Sequence, residues 1–218
     1  MKKRKNIITV AIDSPAAAGA GTQAKLIASY YNLFYLDTGK IYRFIGKLKL
    51  QNPKKFNYSL VKKKMKNLKM KNLKDKDLLS DEVATSASII AKDNKIRKIV
   101  HAFQAQCAYN PPKKYAGSVL DGRDIITVQV KDAMFKFFIT ANVRVRARRR
   151  FNEHKELKQN ISYNEVLKSL KKRDKSDAQR KYGRLVKTKN SVLINTSKLS
   201  KTRAFKILKK HMNKKLKA

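Results

Sequence analysis

Ser14-Pro15-Ala16-Ala17-Ala18-Gly19-Ala20-Gly21-Thr22 follows a near-continuous apolar run, Ile7 to Ile12, and leads into a helical pattern through Lys25 to Tyr30. Strand, small-residue turn and helix is the setting in which backbone N–H groups wrap a phosphate, helped by the positive end of the helix dipole. The intact pattern is Gly, four residues, Gly-Lys, then Ser, Thr or Gly. Here Ser14 stands for the first Gly and Ala20 for the lysine. Taken alone, the stretch reads equally well as a plain strand-to-helix turn.

Further along the chain lie Leu36-Asp37-Thr38-Gly39 with Tyr42-Arg43, and Asp121-Gly122-Arg123-Asp124-Ile125. After them come Arg173-Asp174 with Asp177 and Arg180, then Asn195-Thr196-Ser197 with Leu199-Ser200. In order and separation these segments resemble the motifs of the bacterial cytidylate kinase family, a group of nucleoside monophosphate kinases. The resemblance implies an α/β fold: a P-loop NTPase-like three-layer sandwich with a five-stranded parallel sheet, a small NMP-binding insert and a mobile lid. It implies transfer of the γ-phosphoryl group of ATP to CMP or dCMP, with Mg²⁺ held through ATP and water rather than by side chains.

The roles the resemblance implies are these. Ser14, Pro15, Ala16, Ala17, Ala18, Gly19, Ala20, Gly21 and Thr22 cradle the ATP phosphates, and Arg146 and Arg150 flank the adenine and phosphates. Arg43, with Arg123, holds the acceptor phosphate, and Thr38 lies in the same site. Ser88, Arg97 and Asp124 read the cytosine edge. Arg173 and Asp177 meet the pentose, and Arg180 closes over the transferring group. Such a reaction asks mainly for positioning and cations, and the planar guanidinium binds phosphate through two parallel hydrogen bonds. Arg146, Arg149 and Arg150 read equally as a solvated basic helix face.

Only 15 residues are acidic, yet Asp13, Asp37, Asp121, Asp124, Asp174 and Asp177 all fall in these segments. For Asp13 and Asp174, capping a helix or pairing with an arginine is an equal reading. The chain also departs from the family pattern. Ala20 cannot neutralise phosphate charge, a loss that costs about 10²–10³ in rate where nothing replaces it. Lys25 points away along its helix, leaving Lys171, Lys172 or Lys175 of the lid as substitutes. Ile126, Lys131, Arg184 and Asn195 replace the family's Gly, Pro, Pro and Asp. A catalytically impaired nucleotide-binding protein and a basic RNA-binding protein on the same scaffold are therefore competing readings.

The elements that must position these residues alternate between strand and helix, the order of a parallel sheet covered on both faces. Strands are expected at Ile7–Ile12, Leu33–Leu36, Val119–Leu120, Phe135–Ile139 and Val192–Ile194. A helix begins near Thr38. Val83, Ala87, Ile90 and Ala91, then Ile96, Ile99, Val100, Phe103 and Cys107, form two apolar stripes with Asp93 or Asn94 as a cap between them. Helices follow at Val143–His154 and Ser162–Lys172, the second opened by a Ser162/Glu165 capping box. A last helix carries Ala204, Ile207, Leu208 and Met212. The whole chain, 1–218, reads as one kinase-like domain with a helical insert at about 51–80 and a lid at about 172–184.

The net charge of +39 invites a nucleic-acid reading. The lysines are dispersed, however, and no recognition motif accompanies them, so a nucleic-acid partner is not expected. Cys107 is alone, and His101, His154 and His211 share no metal-ligand spacing, so each reads as a surface or packing residue. The basic Met1–Asn6 and the apolar run after it are too short for a leader or a membrane span. A monomer in the cytoplasm, with ATP and CMP or dCMP as partners, is the expectation.

Overall fold

The computed structural model describes residues 7–217; the basic Met1–Asn6 segment lies outside the described residues. Strands β1 (Ile8–Asp13), β2 (Leu33–Asp37), β3 (Gly117–Gly122), β4 (Phe135–Thr140) and β5 (Val192–Asn195) pair in the order β2-β3-β1-β4-β5, all parallel. Side chains alternate across the pleat. Val10, Ile12, Val119 and Phe137 therefore face one layer, with Ile27 of α1 (Ala20–Tyr30) and Leu208 and Met212 of α8 (Lys201–Leu216). Ala11, Leu36 and Leu120 face the other, with Ile41 and Ile45 of α2 (Thr38–Gln51) and Ile96 and Val100 of α5 (Asn94–Tyr109). These three layers are the expected sandwich.

The segment read as an insert forms α3 (Tyr58–Lys66) and two short 3₁₀ turns, Met70–Lys74 and Lys76–Leu79. Val61, Met65, Leu68 and Leu73 bury into the same core as Ile41 and Ile45, which ties the insert to the body. Helix α4 (Asp81–Ile90) and α5 are separated by a short turn, and the Asp93 side chain accepts the N–H groups of Lys95 and Ile96. Helices α6 (Val143–Glu156) and α7 (Tyr163–Ala178) form a hairpin with its own small core of Ala147, Val166 and Leu170. The capping box forms: Ser162 accepts the Glu165 N–H, and the Glu165 carboxylate accepts that of Ser162.

Three differences from the sequence expectation have simple causes. Strand β1 is shifted by one residue and the other four run one to four residues longer, because ladder pairing continues into polar ends such as Asp13↔Gly122, Asp37↔Asp121 and Thr140↔Asn195. Helix α7 continues past Lys172 to Ala178, so the first half of the lid is helical, held by the ion pairs of the buried Asp177. Ile207 lies 37% exposed, on the rim of the stripe made by Ala204, Leu208 and Met212. The registers bring Asp13, Asp37, Asp121, Thr140 and Asn195 to one edge of the sheet. That carboxyl edge is where open parallel sheets bind ligands.

Candidate active site

The loop between β1 and α1 is folded as an anion cradle. Ala17 (φ 59°) and Gly19 (φ 87°) both adopt left-handed backbone, which turns successive N–H groups inward. No side chain caps the first turn of α1 and no acidic residue lies in it, so its N-terminal donors stay available. Ser14, standing for the first Gly, is buried and its N–H donates to the Gly122 carbonyl (3.1 Å). Ala20 is 5% exposed and apolar in its surroundings.

Beneath the loop, two strand ends place Asp37 and Asp121 side by side. A methyl at Gly21 would lie 3.5 Å from both Asp121 Oδ2 and the Tyr35 hydroxyl. Burial, followed by the neighbouring Asp37, pushes the Asp121 carboxyl up to about 8, and its Oδ1 has no hydrogen-bond partner among the described residues. Asp13 is different. Its carboxylate accepts the Ile125 and Ile126 N–H groups (2.8 and 3.1 Å), which opens a single π-helical turn, Ile125–Gln129. Asp13 is therefore a backbone cap, one of the two readings its position allowed. Asp174 takes the other: both its oxygens bond the Arg146 guanidinium.

Past the end of β3, one carboxylate gathers three guanidinium groups. Asp177, 1% exposed, accepts from Arg123 Nε (2.9 Å), bonds Arg180, and lies 3.9 Å from Arg173 Nε one helical turn away. Arg43 is close enough to act on the same cluster, and its Nη1 donates to the Leu78 carbonyl (2.6 Å). Arg123 first, then desolvation, lowers Arg173 to about 10. Several cations around one anion form a basin that lacks negative charge. A phosphate would supply it.

Next to the basin, Arg97 (3% exposed) donates to the Ala91 carbonyl and pairs with Asp124, whose other oxygen accepts from Gln129 Nε2. Tyr42 OH, Arg97 Nε, His101 Nε2, Gln129 Oε1 and Arg180 Nε are all buried around this pair without hydrogen-bond partners among the described residues. Buried polar groups are ordinarily satisfied, so such a cluster fits a polar ligand edge. The lid descends on it. Gly183 has φ 66°, and a side chain there would collide with Arg97 and Asp124. Tyr182 lies over the Arg97 guanidinium and stacks on His101. Thr38 stands at the edge of the basin, its hydroxyl donating to the Asp121 carbonyl (2.7 Å). Ser88 is exposed on α4, whereas the buried Ser86 donates to the Gly46 carbonyl.

Of the helix-α6 arginines, Arg146 is buried and engaged by the Ala141 and Ala16 carbonyls and Asp174. Arg150 pairs with Glu153. Arg149 instead reaches the loop, with its Nη1 3.9 Å from where a methyl at Gly19 would sit. Lys172 and Lys175 line a groove with Arg97 and Tyr182 on the acceptor side, and Lys25 is exposed on α1. Beyond the loop, a cavity of about 580 Å³ opens at the ends of β4 and β5, lined by Thr140, Asn142, Asn195, Ser197 and Lys198. Sequence reasoning missed Arg149, Tyr182 and His101 as members of the site. For His101 a signal existed, since it lies one turn after Arg97 on the same helix face. Among the described residues, no group of His, Cys, Asp and Glu is arranged to hold a metal by itself, and no helix is long and apolar enough to cross a membrane.

A cradle for one polyphosphate and a basin for a second phosphate, at a single sheet edge and under a common lid, define a class: P-loop-type proteins that move a phosphoryl group between two nucleotides. The comparisons with known proteins resolve the class further. Residues 10–214 match the family model described as cytidylate kinase. A cytidylate kinase of Bartonella tribocorum is 41% identical over 203 residues, 91% of each chain. One of Clostridium botulinum is 36% identical over 201 residues, covering 87% of this chain and 90% of that protein. An uncharacterized protein from Eubacterium ventriosum, solved by crystallography, superposes with a TM-score of 0.54 at 16% identity over 94% of this chain and 98% of its own, a likeness of fold. This chain belongs to the cytidylate kinase family.

Proposed function

We propose that the chain is an ATP-dependent nucleotide kinase that phosphorylates CMP or dCMP, yielding CDP or dCDP and ADP, with Ala20 in place of the loop lysine. The observations that carry the residue assignments are the convergence of Arg123, Arg173 and Arg180 on the buried Asp177 and the uncapped start of α1. The acceptor phosphate binds Arg43, Arg123 and Arg173. Its pentose meets Arg173 and Asp177, and its base edge pairs with Arg97 and Asp124; Ser88, exposed on α4, is assigned to the base by the family resemblance alone. The loop Ser14–Thr22 holds the donor phosphates, Arg150 flanks them, and the cavity at Thr140 and Asn195 seats the donor nucleoside. Arg180 covers the group in transfer. The lid excludes water, so the phosphoryl group passes to CMP rather than to hydroxide.

The acidic pair bears on the metal. Asp37 and the unpartnered oxygen of Asp121 are suited to hold Mg²⁺ through its water shell beside Gly21. Bound there, the ion supplies charge neutralisation on the donor phosphates. Both nucleotide seats are built within one chain, which supports a monomer. The lone thiol, Cys107, supports a reducing, cytoplasmic setting. The test is ADP release from ATP on addition of CMP, dCMP, UMP or AMP with Mg²⁺. CMP and dCMP should drive turnover, and UMP and AMP should not. Nucleotide binding without turnover at any Mg²⁺ concentration would replace the kinase with a binding protein of the same fold.

A further inference from the structure

We infer that Arg149 supplies, from helix α6, the cation that the phosphate loop lacks at Ala20. The inference rests on the loop Ser14–Thr22 being the donor-phosphate site. The geometry is specific to this residue. Arg149 Nη2 donates to the Thr196 carbonyl (2.7 Å) and Nη1 to its hydroxyl (3.1 Å), while that hydroxyl donates to the Ala18 carbonyl (2.8 Å). The guanidinium is thus tied through one threonine to the loop itself, and Nη1 lies 3.9 Å from the Cβ position of Gly19, the N-cap of α1. Arg149 is half-buried, and among the described residues two of its donors are engaged, of the five that a guanidinium carries. The remaining donors are available to an anion in the cradle.

Its neighbours cannot take this part. Arg146 is held by two carbonyls and Asp174, and Arg150 by Glu153. The lid lysines Lys172 and Lys175 line the groove on the acceptor side. In the transfer, the bond from the γ-phosphorus to the β,γ-bridging oxygen breaks as a CMP phosphate oxygen bonds to that phosphorus. The electron pair left on the bridging oxygen becomes charge on the β-phosphate of ADP. A fixed cation beside the α1 N-cap stabilises that charge more in the transition state than in the ground state. Arg149 stands on this side of the site, and the Arg123–Arg173–Arg180 basin stands on the other.

The test is a double-mutant cycle on the full chain: native, Ala20→Lys, Arg149→Gln and the double variant. Each is measured for CMP phosphorylation and, independently, for Mg·ADP binding by calorimetry. Arg149→Gln should lower kcat by about 10²-fold in the native background and weaken ADP binding, but do far less to either in the Ala20→Lys background, where a lysine covers the position. Arg149→Lys keeps the charge and loses the paired bonds to Thr196. It should retain more activity than Arg149→Gln, and thermal melts check that all variants fold. Equal losses in both backgrounds, or Arg149→Lys as impaired as Arg149→Gln, would overturn the inference and leave Arg149 as a tether for Thr196. If no protein turns over CMP while the calorimetric cycle shows the coupling, the kinase reading fails and the Arg149 assignment stands.

Discussion

Ala20 is the residue whose substitution has the most direct chemical consequence, and Arg149 limits how large that consequence is. With a guanidinium already beside the loop, Ala20→Lys should change kcat by less than about tenfold, against the 10²–10³ that an unreplaced donor costs. Steady-state kinetics at saturating ATP and CMP measure this. At the acceptor end, Arg97 is nearly fully buried and bonded to Asp124 and Ala91, so it acts on whatever fills the polar cluster there. Arg97→Ala should weaken CMP binding by about 10²-fold or more, because it leaves Asp124 buried and unpaired, and should leave ATP binding within a few-fold. Equal losses in two calorimetric titrations would remove Arg97 from the base site. Asp13 yields a pH prediction. Burial pushes its carboxyl up to about 7 against the pull of the Ile125 and Ile126 N–H groups. Because the folded-state value lies above the unfolded one, the folded chain holds this proton more tightly. Its contribution to stability is complete at acid pH and is lost as pH rises through about 7. Thermal melts between pH 5 and 8 should show that decline together with the one from Asp121, whose carboxyl is also raised, and Asp13→Asn should remove only the Asp13 part even as it lowers stability overall. Much of this site was legible as motif: Asp37, Arg43, Arg123, Asp124, Arg173, Asp177 and Arg180 sit in short segments with fixed spacing. Arg149 was not separable from Arg146 and Arg150, because three arginines on one helix look alike until their acceptors are known. Tyr182 and Gly183 carry no signature, since their role comes from where the lid lands.

At the scale of elements, what could be read was what local chemistry dictates. The Ser162/Glu165 box announces α7, and Asp93 announces α5, because each cap satisfies helix N–H groups within its own neighbourhood. The strand ends were shortened on reading, because polar residues such as Asp37 and Asp121 look like loop until a neighbouring strand pairs with them. The π-turn Ile125–Gln129 depends on a carboxylate, Asp13, more than a hundred residues away, and no local pattern announces it. The lid shows both cases. Its helical half follows from the α7 cap and the Val166/Leu170 face, whereas the remainder, Gln179 to Arg184, has Tyr182 as its only large apolar side chain. The Arg180–Asp177 pair and the contacts of Tyr182 with Arg97 and His101 hold this segment, and with so little apolar burial it opens at low cost. Hydrogen exchange should therefore be fast across Gln179–Arg184 in the free protein and slow when an ATP analogue and CMP are both present. Protection equal to that of β1 without ligand would mean the lid is a fixed part of the core.

For the whole molecule the outstanding quantity is charge. A formal +39 over 218 residues is self-repulsion that folding concentrates. The structure relieves little of it. Among the described residues the ion pairs are few, and several of them serve the site: Arg97–Asp124, Arg123–Asp177 and Arg180–Asp177. The lysines of α3 and α8, which lie in opposite layers, stand mostly exposed, as Lys62, Lys63 and Lys64 do, with no acidic residue in either helix. Dispersed exposed lysine argues for a generally repulsive surface more than for a nucleic-acid stripe. Repulsion among exposed charges is screened by salt, whose reach shortens from ~10 Å at 0.1 M to ~3 Å at 1 M. The folded state should therefore gain stability as NaCl rises over that range, and the melting temperature should climb. ATP and CMP, which are drawn to the site by the same field, should bind more weakly over the same titration. A melting temperature that falls with salt would mean that attractive pairs outweigh the repulsion, and the charge would then need a partner to explain it. A rise in stability alongside weaker nucleotide binding would assign the lysines a long-range field and leave the chemistry to the arginines at the sheet edge.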